Sequence, residues 1–306
     1  MMTQPRLSLG PITYYWPKDR VEAFYDRIIE SPVDIVYVGE TICSKRTQMR
    51  TDDWFALAER LAAAGKEVVL STLALLEAES EIQRLRRICD NGRFLVECND
   101  MGAVHRMQGR PFATGHSVNI YNDRTLALLA RQGLKRWVFP VELSHESLAD
   151  MQVRRPAGVE TEVFAYGRLP LAYSARCFTA RARNLQKDDC QYCCIDYPDG
   201  LTLSAQDDTR FLALNGIQTQ SAQTFNLVAE IPRMRSLGVD VIRISPQSNQ
   251  TERVIEVFHR CLEGEMAPTE AQAALEPLMP VGPCDGYWHG SAGLEQRARA
   301  AAGALA

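Results

Sequence analysis

Four thiols lie close together in one stretch of this chain: Cys177, Cys190, Cys193 and Cys194 all fall in the run SARCFTARARNLQKDDCQYCCIDYP. Twelve residues separate Cys177 from Cys190, and three separate Cys190 from Cys194. The chain has nine cysteines in 306 residues. In a reducing compartment disulfides do not persist, so each is a buried small residue, a reactive thiol or a metal ligand. Thiolates suit a soft iron site, because sulfur donates well to iron and its negative charge offsets that of the metal; four of them complete a cubane cluster. Arg176 and Lys187 stand beside these thiols and would help hold them deprotonated. Structural zinc is also held by four thiolates, so spacing alone leaves zinc open.

The fourth ligand comes from Cys193 or from elsewhere. Adjacent residues of an extended chain point to opposite sides, so Cys193 and Cys194 do not reach one metal without a special turn. Cys43, in VGETICSKR, follows an expected strand and falls on the same face as the cysteine-rich stretch. The expected ligand set is therefore Cys43, Cys177, Cys190 and Cys194. Cys89, Cys261 and Cys284 read as buried thiols. Cys98, at the end of another strand, is placed to face a pocket.

The elements that must position these residues are legible as alternating runs. Short apolar or β-branched stretches recur at Leu7–Thr13, Asp34–Val38, Glu67–Ser71, Phe94–Glu97, Phe112–Thr114, Arg136–Pro140, Glu160–Tyr166 and Val239–Ile244. Between them lie helical patterns such as Val21, Phe24, Ile28, then Trp54, Leu57, Leu61, then Leu126, Leu129. Gly65, Gly133 and Gly238 stand where helices end before strands. Eight βα units predict an α/β fold, a (β/α)8 TIM-barrel-like domain whose working face lies at the C-terminal ends of the strands. An open doubly wound sheet is disfavoured, since no Gly-x-Gly-x-x-Gly follows the first strand. The expected division is a single barrel over 1–270, with a cysteine-rich insertion at 168–222 after the seventh strand, and a C-terminal extension at 271–306. The last thirty or so residues, Ala-rich and ending GLEQRARAAAGALA, read as a surface helix or a frayed tail.

Bulk properties narrow the function classes. A net charge of −4 and a pI near 5.8 give no global attraction for phosphate backbones, so nucleic acid is not the default partner. The longest apolar run, Val68 to Leu76, is interrupted by Ser71 and Thr72 and falls short of the roughly 18 residues needed to span a bilayer. The first residues lack the pattern of a secretory signal, so a soluble, cytoplasmic protein is expected.

Through YGRLPLAYSARCFTARARNLQKDDCQYCCIDYP the chain resembles the collagenase-like peptidase family over most of its length. Family members show a small-residue turn, Ser-Gly-Arg-Cys, a basic loop and a Cys-x-x-x-Cys; here Ser174-Ala175-Arg176-Cys177 and Cys190 to Cys194 match. Many relatives carry a further cysteine seven residues before Cys177, where this chain has Pro170, and some replace it with a cysteine near the N-terminus, as GETICSKR does with Cys43. The resemblance implies a 4Fe-4S cluster held by those four thiols. It also implies a heterodimer with a paralogue and oxygen-independent hydroxylation of the ubiquinone ring during anaerobic growth, on a quinone precursor and with prephenate as a small-molecule hydroxyl donor. Some members hydroxylate RNA instead. A third alternative is a non-catalytic partner subunit with a structural cluster. Proteolysis is not carried over, because no nucleophile, base and orienter form a local pattern and no His-Glu-x-x-His surrounds His105, His116 or His145.

Weaker candidates sit at strand ends, where barrel enzymes keep polar groups: Glu40, Asn99, Asp100, His116, Asn119 and Glu142. In GHSVNIYND, His116 offers an acid or base and Asn119 an orienting amide. Ser144 reads as the N-cap of the following helix. Arg176 and Arg181 are either solvated surface arginines or forks for a carboxylate, and Arg176 is the third catalytic candidate beside His116 and Asn119.

Overall fold

The computed structural model describes residues 4–297. Eight parallel strands close into a barrel: β1 (Arg6–Leu9), β2 (Ile35–Val38), β3 (Glu67–Ser71), β4 (Leu95–Cys98), β5 (Phe112–Thr114), β6 (Leu134–Phe139), β7 (Glu160–Tyr173) and, after an insertion, β11 (Val241–Ile244). Closure comes from β11, which pairs in parallel with β1 through Leu7 opposite Ile242 and with β7 through Val241 opposite Glu162. The expected TIM-like barrel is the observed fold. Its first strand stops at Leu9 instead of reaching Thr13, and its seventh runs on to Tyr173.

Helices α1 (Lys18–Ile29), α2 (Thr51–Ala63), α3 (Glu79–Cys89), α4 (Met101–Met107), α5 (Asp123–Gln132) and α6 (His145–Val153) alternate with the first seven strands. Their apolar stripes, such as Val21, Phe24, Tyr25 and Ile28 of α1, are buried against the outer faces of the strands. Asn122 caps α5 through its side chain, and Gly133 ends it at φ +118°. Ser144 accepts the backbone N–H of Ser147 and so caps α6, as expected.

The insertion contains strands that its charge-rich sequence did not suggest. A five-residue helix, α7 (Phe178–Ala182), is followed by β8 (Leu201–Ser204), β9 (Arg210–Asn215) and β10 (Gln218–Asn226), which form antiparallel pairs with one another and with the extended end of β7. The insertion is docked on the barrel's C-terminal face by Trp16 Nε1 donating to the Pro198 carbonyl at 2.8 Å, by Lys45 reaching Asp188 at 2.7 Å and by Ser248 bonding Asp199. The chain returns through α8 (Ile231–Ser236), β11 and α9 (Thr251–Glu263).

The end of the chain corrects an expectation. After α10 (Pro268–Leu275), a short strand β12 (Pro283–Cys284) pairs with β10, and Trp288 is buried with its Nε1 donating to Glu230 at 3.0 Å. This segment is neither a surface helix nor a frayed tail up to residue 297; the Ala-rich remainder lies outside the described residues.

Inside the barrel, alternation along the strands brings charge where most such barrels stack aliphatic layers. Arg243 donates to Glu97 and Glu162 at 2.7 and 2.8 Å, and Arg136 reaches Glu67 and Glu160 at 2.8 and 2.6 Å. Tyr37 donates to Glu162, and the Arg243 guanidinium lies 4.0 Å from the centre of its ring. At the mouth, Gly39 leaves β2 at φ +138°, and a Cβ there would stand 2.5 Å from the Ser71 carbonyl oxygen. Gly39→Ala is expected to cost about 1–3 kcal/mol, from backbone strain plus this collision, read as a lower urea midpoint.

Candidate functional site

The loop after β2 presents Cys43. Glu40 holds it: its Oε1 accepts the backbone N–H groups of Ile42 at 2.9 Å and Cys43 at 3.0 Å. Burial pushes this carboxyl up, opposed by the nearby Arg46 guanidinium. Glu40 therefore clamps a loop and is not a free acid. On the insertion, Cys177 opens α7, and its Sγ accepts the Ala180 N–H at 3.4 Å. Cys190 closes a 3-10 turn at Lys187–Asp189, and a second such turn spans Cys193–Asp196. Between them Gln191 and Tyr192 take φ of 49° and 54°. Two successive left-handed residues other than glycine cost roughly 1–2 kcal/mol each. Beyond this turn Cys193 is buried, whereas Cys194 stays half-buried.

Loop and insertion bring the thiols into one neighbourhood. Cys43 feels the charge of Cys177, Cys194 feels those of Cys177 and Cys43, and Lys45 those of Cys190 and Cys43. Cys193 is coupled to Cys177 and Cys190. Burial pushes the Cys194 thiol up to about 11, with Arg46 pulling the other way. Among the described residues, no three His, Cys, Asp or Glu side chains converge tightly enough to hold a single ion.

The cation beside the sulfurs is one that the sequence did not single out. Arg46 is fully buried, donates to the Thr13 carbonyl at 2.6 Å and to Asn215 Oδ1 at 2.7 Å, and its Nε–H has no partner. Its guanidinium lies against the Cys194 thiol. Arg176 and Arg181 are exposed, in keeping with the solvated reading, and Lys187 is turned to Glu77 and the Ala175 carbonyl. The only sequence hint of Arg46 was its position three residues after Cys43.

Other candidates divide. Asp100 caps α4 through the Gly102 N–H at 2.6 Å, and Glu142 is exposed near Tyr121. Asn119 is exposed and does not line the barrel-mouth pocket, so it cannot orient a ligand there alongside His116. Cys98 faces away from that pocket, because Glu97 takes the inward position of β4 and alternation sends Cys98 to the helix layer, where it is buried beside Cys89. Cys89, Cys261 and Cys284 are buried, as expected.

The barrel mouth is a narrow cavity of about 20 Å³ between the insertion and the strand ends, lined by residues including Thr13, Thr41, Asn99, His116, Arg168 and Gln220. Asn99 Nδ2 donates to the Thr72 carbonyl at 3.0 Å and fixes the rim. His116 lies 2.8 Å from the Tyr173 hydroxyl through Nε2 and stacks on that ring. Burial first, and Arg243 second, lower its pKa to about 3. The imidazole is neutral at physiological pH.

The model of a family described as peptidase family U32 matches residues 21–296. A tRNA hydroxylation protein P1 of Bacillus subtilis (strain 168) is 26% identical over 164 residues, half of this chain but 37% of the relative, so the match spans little more than a third of that protein. A solved U32 peptidase superposes with a TM-score of 0.45 at 12% identity, covering 81% of this chain and 95% of that one. A dihydrodipicolinate synthase from Aquifex aeolicus gives 0.46 at 10% identity, covering 90% and 81%. Among the described residues, no helix is long and apolar enough to cross a membrane.

Proposed function

The chain belongs to peptidase family U32, and from that membership we propose that it is the iron-sulfur subunit of an oxygen-independent hydroxylating system. Cys43, Cys177, Cys190 and Cys194 would hold a 4Fe-4S cluster. The role is that of a UbiV-type subunit working in the cytoplasm as a heterodimer with a UbiU paralogue in anaerobic ubiquinone biosynthesis, with prephenate as hydroxyl donor.

What supports the proposal is that the loop after β2 brings Cys43 near enough to Cys177 and Cys194, on an insertion more than a hundred residues later, for their charges to act on one another. The residues suit the group. The unpartnered Nε–H of Arg46 beside Cys194 fits a thiolate acceptor. Of Cys193 and Cys194, only the latter is coupled to Cys43 among the causes that shift its thiol. When bound, such a cluster supplies one-electron transfer or a Lewis-acidic iron. The chain's own groups hold the loop through Glu40, screen the anionic centre with Arg46 and Lys45, and cover it with the insertion. Proteolysis is not part of the proposal, since His116 is tied to Tyr173 and kept neutral by burial.

Hydroxylation of RNA is the second reading, favoured by the Bacillus relative. Deleting the gene and growing cells without oxygen separates the two. Ubiquinone is expected to fall to background while hydroxylated tRNA nucleosides stay at wild-type levels; the opposite pattern selects the RNA reading. A partner subunit with a purely structural cluster predicts that Cys194→Ala abolishes both cluster and heterodimer. A catalytic cluster predicts that the heterodimer survives and turnover stops.

A further inference from the structure

Cys190, Gln191, Tyr192 and Cys193 form a Cys-x-x-Cys folded as a tight turn: the Cys193 backbone N–H donates to the Cys190 carbonyl at 3.1 Å, across two residues at φ 49° and 54°. A turn closed by that bond keeps its end Cα atoms within about 7 Å, and a disulfide spans Cα atoms about 4.4–6.8 Å apart. The ends of such a turn face one another, so the two cysteine side chains leave from one side of it. Glycine or asparagine ordinarily fills a turn with two positive φ values. Here Gln191 and Tyr192 do, and the Tyr192 ring is set 6.3 Å from that of Tyr15. Backbone strain of this kind gathers at functional sites.

Cys193 has no part in the ligand set proposed above, yet it is placed among its members. It is 6% exposed, and the Cys177 and Cys190 thiols both act on it electrostatically. Cys190 is half-buried, which leaves its sulfur within reach of a small oxidant. The turn favours Cys190 over Cys177 as the partner of Cys193, because Cys177 opens a separate helix, where its Sγ accepts the Ala180 N–H. Cys194 is the poorest partner, since a bond between adjacent cysteines distorts the planar peptide unit that joins them.

From this we infer that Cys190 and Cys193 are a peroxide-responsive pair, with Cys193 the resolving thiol for Cys190. Hydrogen peroxide oxidises the Cys190 sulfur: the O–O bond breaks, one oxygen stays on sulfur as a sulfenic acid and the other leaves as water. The Cys193 sulfur then attacks, the S–S bond forms, and the S–O bond breaks with release of a second water. Two electrons pass from the pair of thiols to the peroxide, and the two thiol hydrogens end in the waters. The disulfide takes Cys190 out of the ligand set and keeps it from the irreversible sulfinic and sulfonic acids. A reducing thiol pool reopens it. An oxygen-independent system thereby keeps a ligand through a spell of oxidant and recovers it afterwards. That consequence rests on the function proposed above, whereas the disulfide rests on the turn alone.

The test is to expose the anaerobically isolated full-length protein to hydrogen peroxide, block the remaining thiols with N-ethylmaleimide and map the tryptic peptides by mass spectrometry. Cys190, Cys193 and Cys194 share the peptide 188–210, and Cys177 lies in 177–181. The expected product is 188–210 lighter by a pair of hydrogens, blocked on Cys194 alone and restored by dithiothreitol. After that reduction and anaerobic reconstitution with iron and sulfide, the wild-type protein should regain at least about three quarters of its iron. Cys193→Ala, whose Cys190 goes on to the sulfinic acid, should regain less than about a third. Without peroxide the two should reconstitute alike. A Cys190 sulfinic acid beside a maleimide-blocked Cys193 in the wild type, a cross-link joining 177–181 to 188–210, or equal recovery of iron after peroxide overturns the inference. A protein isolated without iron would remove the cluster and leave a mapped disulfide standing, so the two failures are distinct.

Discussion

Cys194→Ala, isolated without oxygen, is expected to lose the visible iron-sulfide absorbance and to keep less than about a quarter of the iron of the wild-type protein, which should itself carry about four iron and four sulfide per chain. Three remaining thiolates leave one corner of a cubane to solvent, and a centre so exposed is readily lost. Cys43→Ala, Cys177→Ala and Cys190→Ala should behave alike, even though Cys43 lies on a different segment from the others. Cys193→Ala is the internal control. Its thiol is buried and Cys43 is not among the groups that shift it, so iron content should remain near the wild-type value. Full iron in Cys43→Ala together with its loss in Cys193→Ala would make Cys193, in place of Cys43, the fourth ligand. Zinc in place of iron and sulfide would remove the redox reading altogether.

Arg243→Met is expected to destabilise the barrel by about 3–5 kcal/mol near neutral pH, because it strands the Glu97 and Glu162 carboxylates inside the barrel without their cation. The pH dependence gives the sharper check. Burial by itself would raise the Glu162 carboxyl, but Arg243 and then Arg136 outweigh it and hold the group below its ordinary range. A depressed folded pKa contributes stability that is present above the unfolded value of about 4.3 and is lost as pH falls through the lower, folded one. Without Arg243 the burial contribution dominates, Glu162 rises above its unfolded value, and its cost at neutral pH is relieved on acidification. The gap between wild type and variant, measured by urea unfolding, should therefore narrow from pH 7 to pH 4.5. A constant gap over that range would show that the two carboxylates are not the groups left uncompensated.

Both variants test features that differ in how far the sequence exposed them. The eight strands, the helix stripes between them and the glycines at helix ends were legible, because each is local: a period of two or of 3.6 residues records which face is buried. Gly65, Gly133 and Gly238 all take positive φ, which the chain announces by placing the one residue without a Cβ there. The cysteine spacing was legible for the same reason. The inward charges were present as Glu160, Glu162, Arg136 and Arg243 at strand positions, an available signal, but their pairing joins residues up to 154 positions apart, from Arg6 to Glu160.

By itself, then, the sequence determined the barrel, the grouping of Cys177, Cys190 and Cys194 near one loop, and the candidacy of Cys43 and His116, since all follow from short-range periodicity and from which strand end each residue succeeds. Only the tertiary structure decided that Arg46 is the guanidinium beside the sulfurs in place of Arg176, that Cys98 turns outward, that Asn119 is exposed, that β8 to β10 extend the sheet over the mouth, and that the segment 276–297 packs against the rest of the fold. The physical reason is common to these. Which cation meets which anion, and which buried donor lacks an acceptor, depends on the closure of the barrel and the docking of the insertion, and contacts between remote segments leave no periodic trace along the chain.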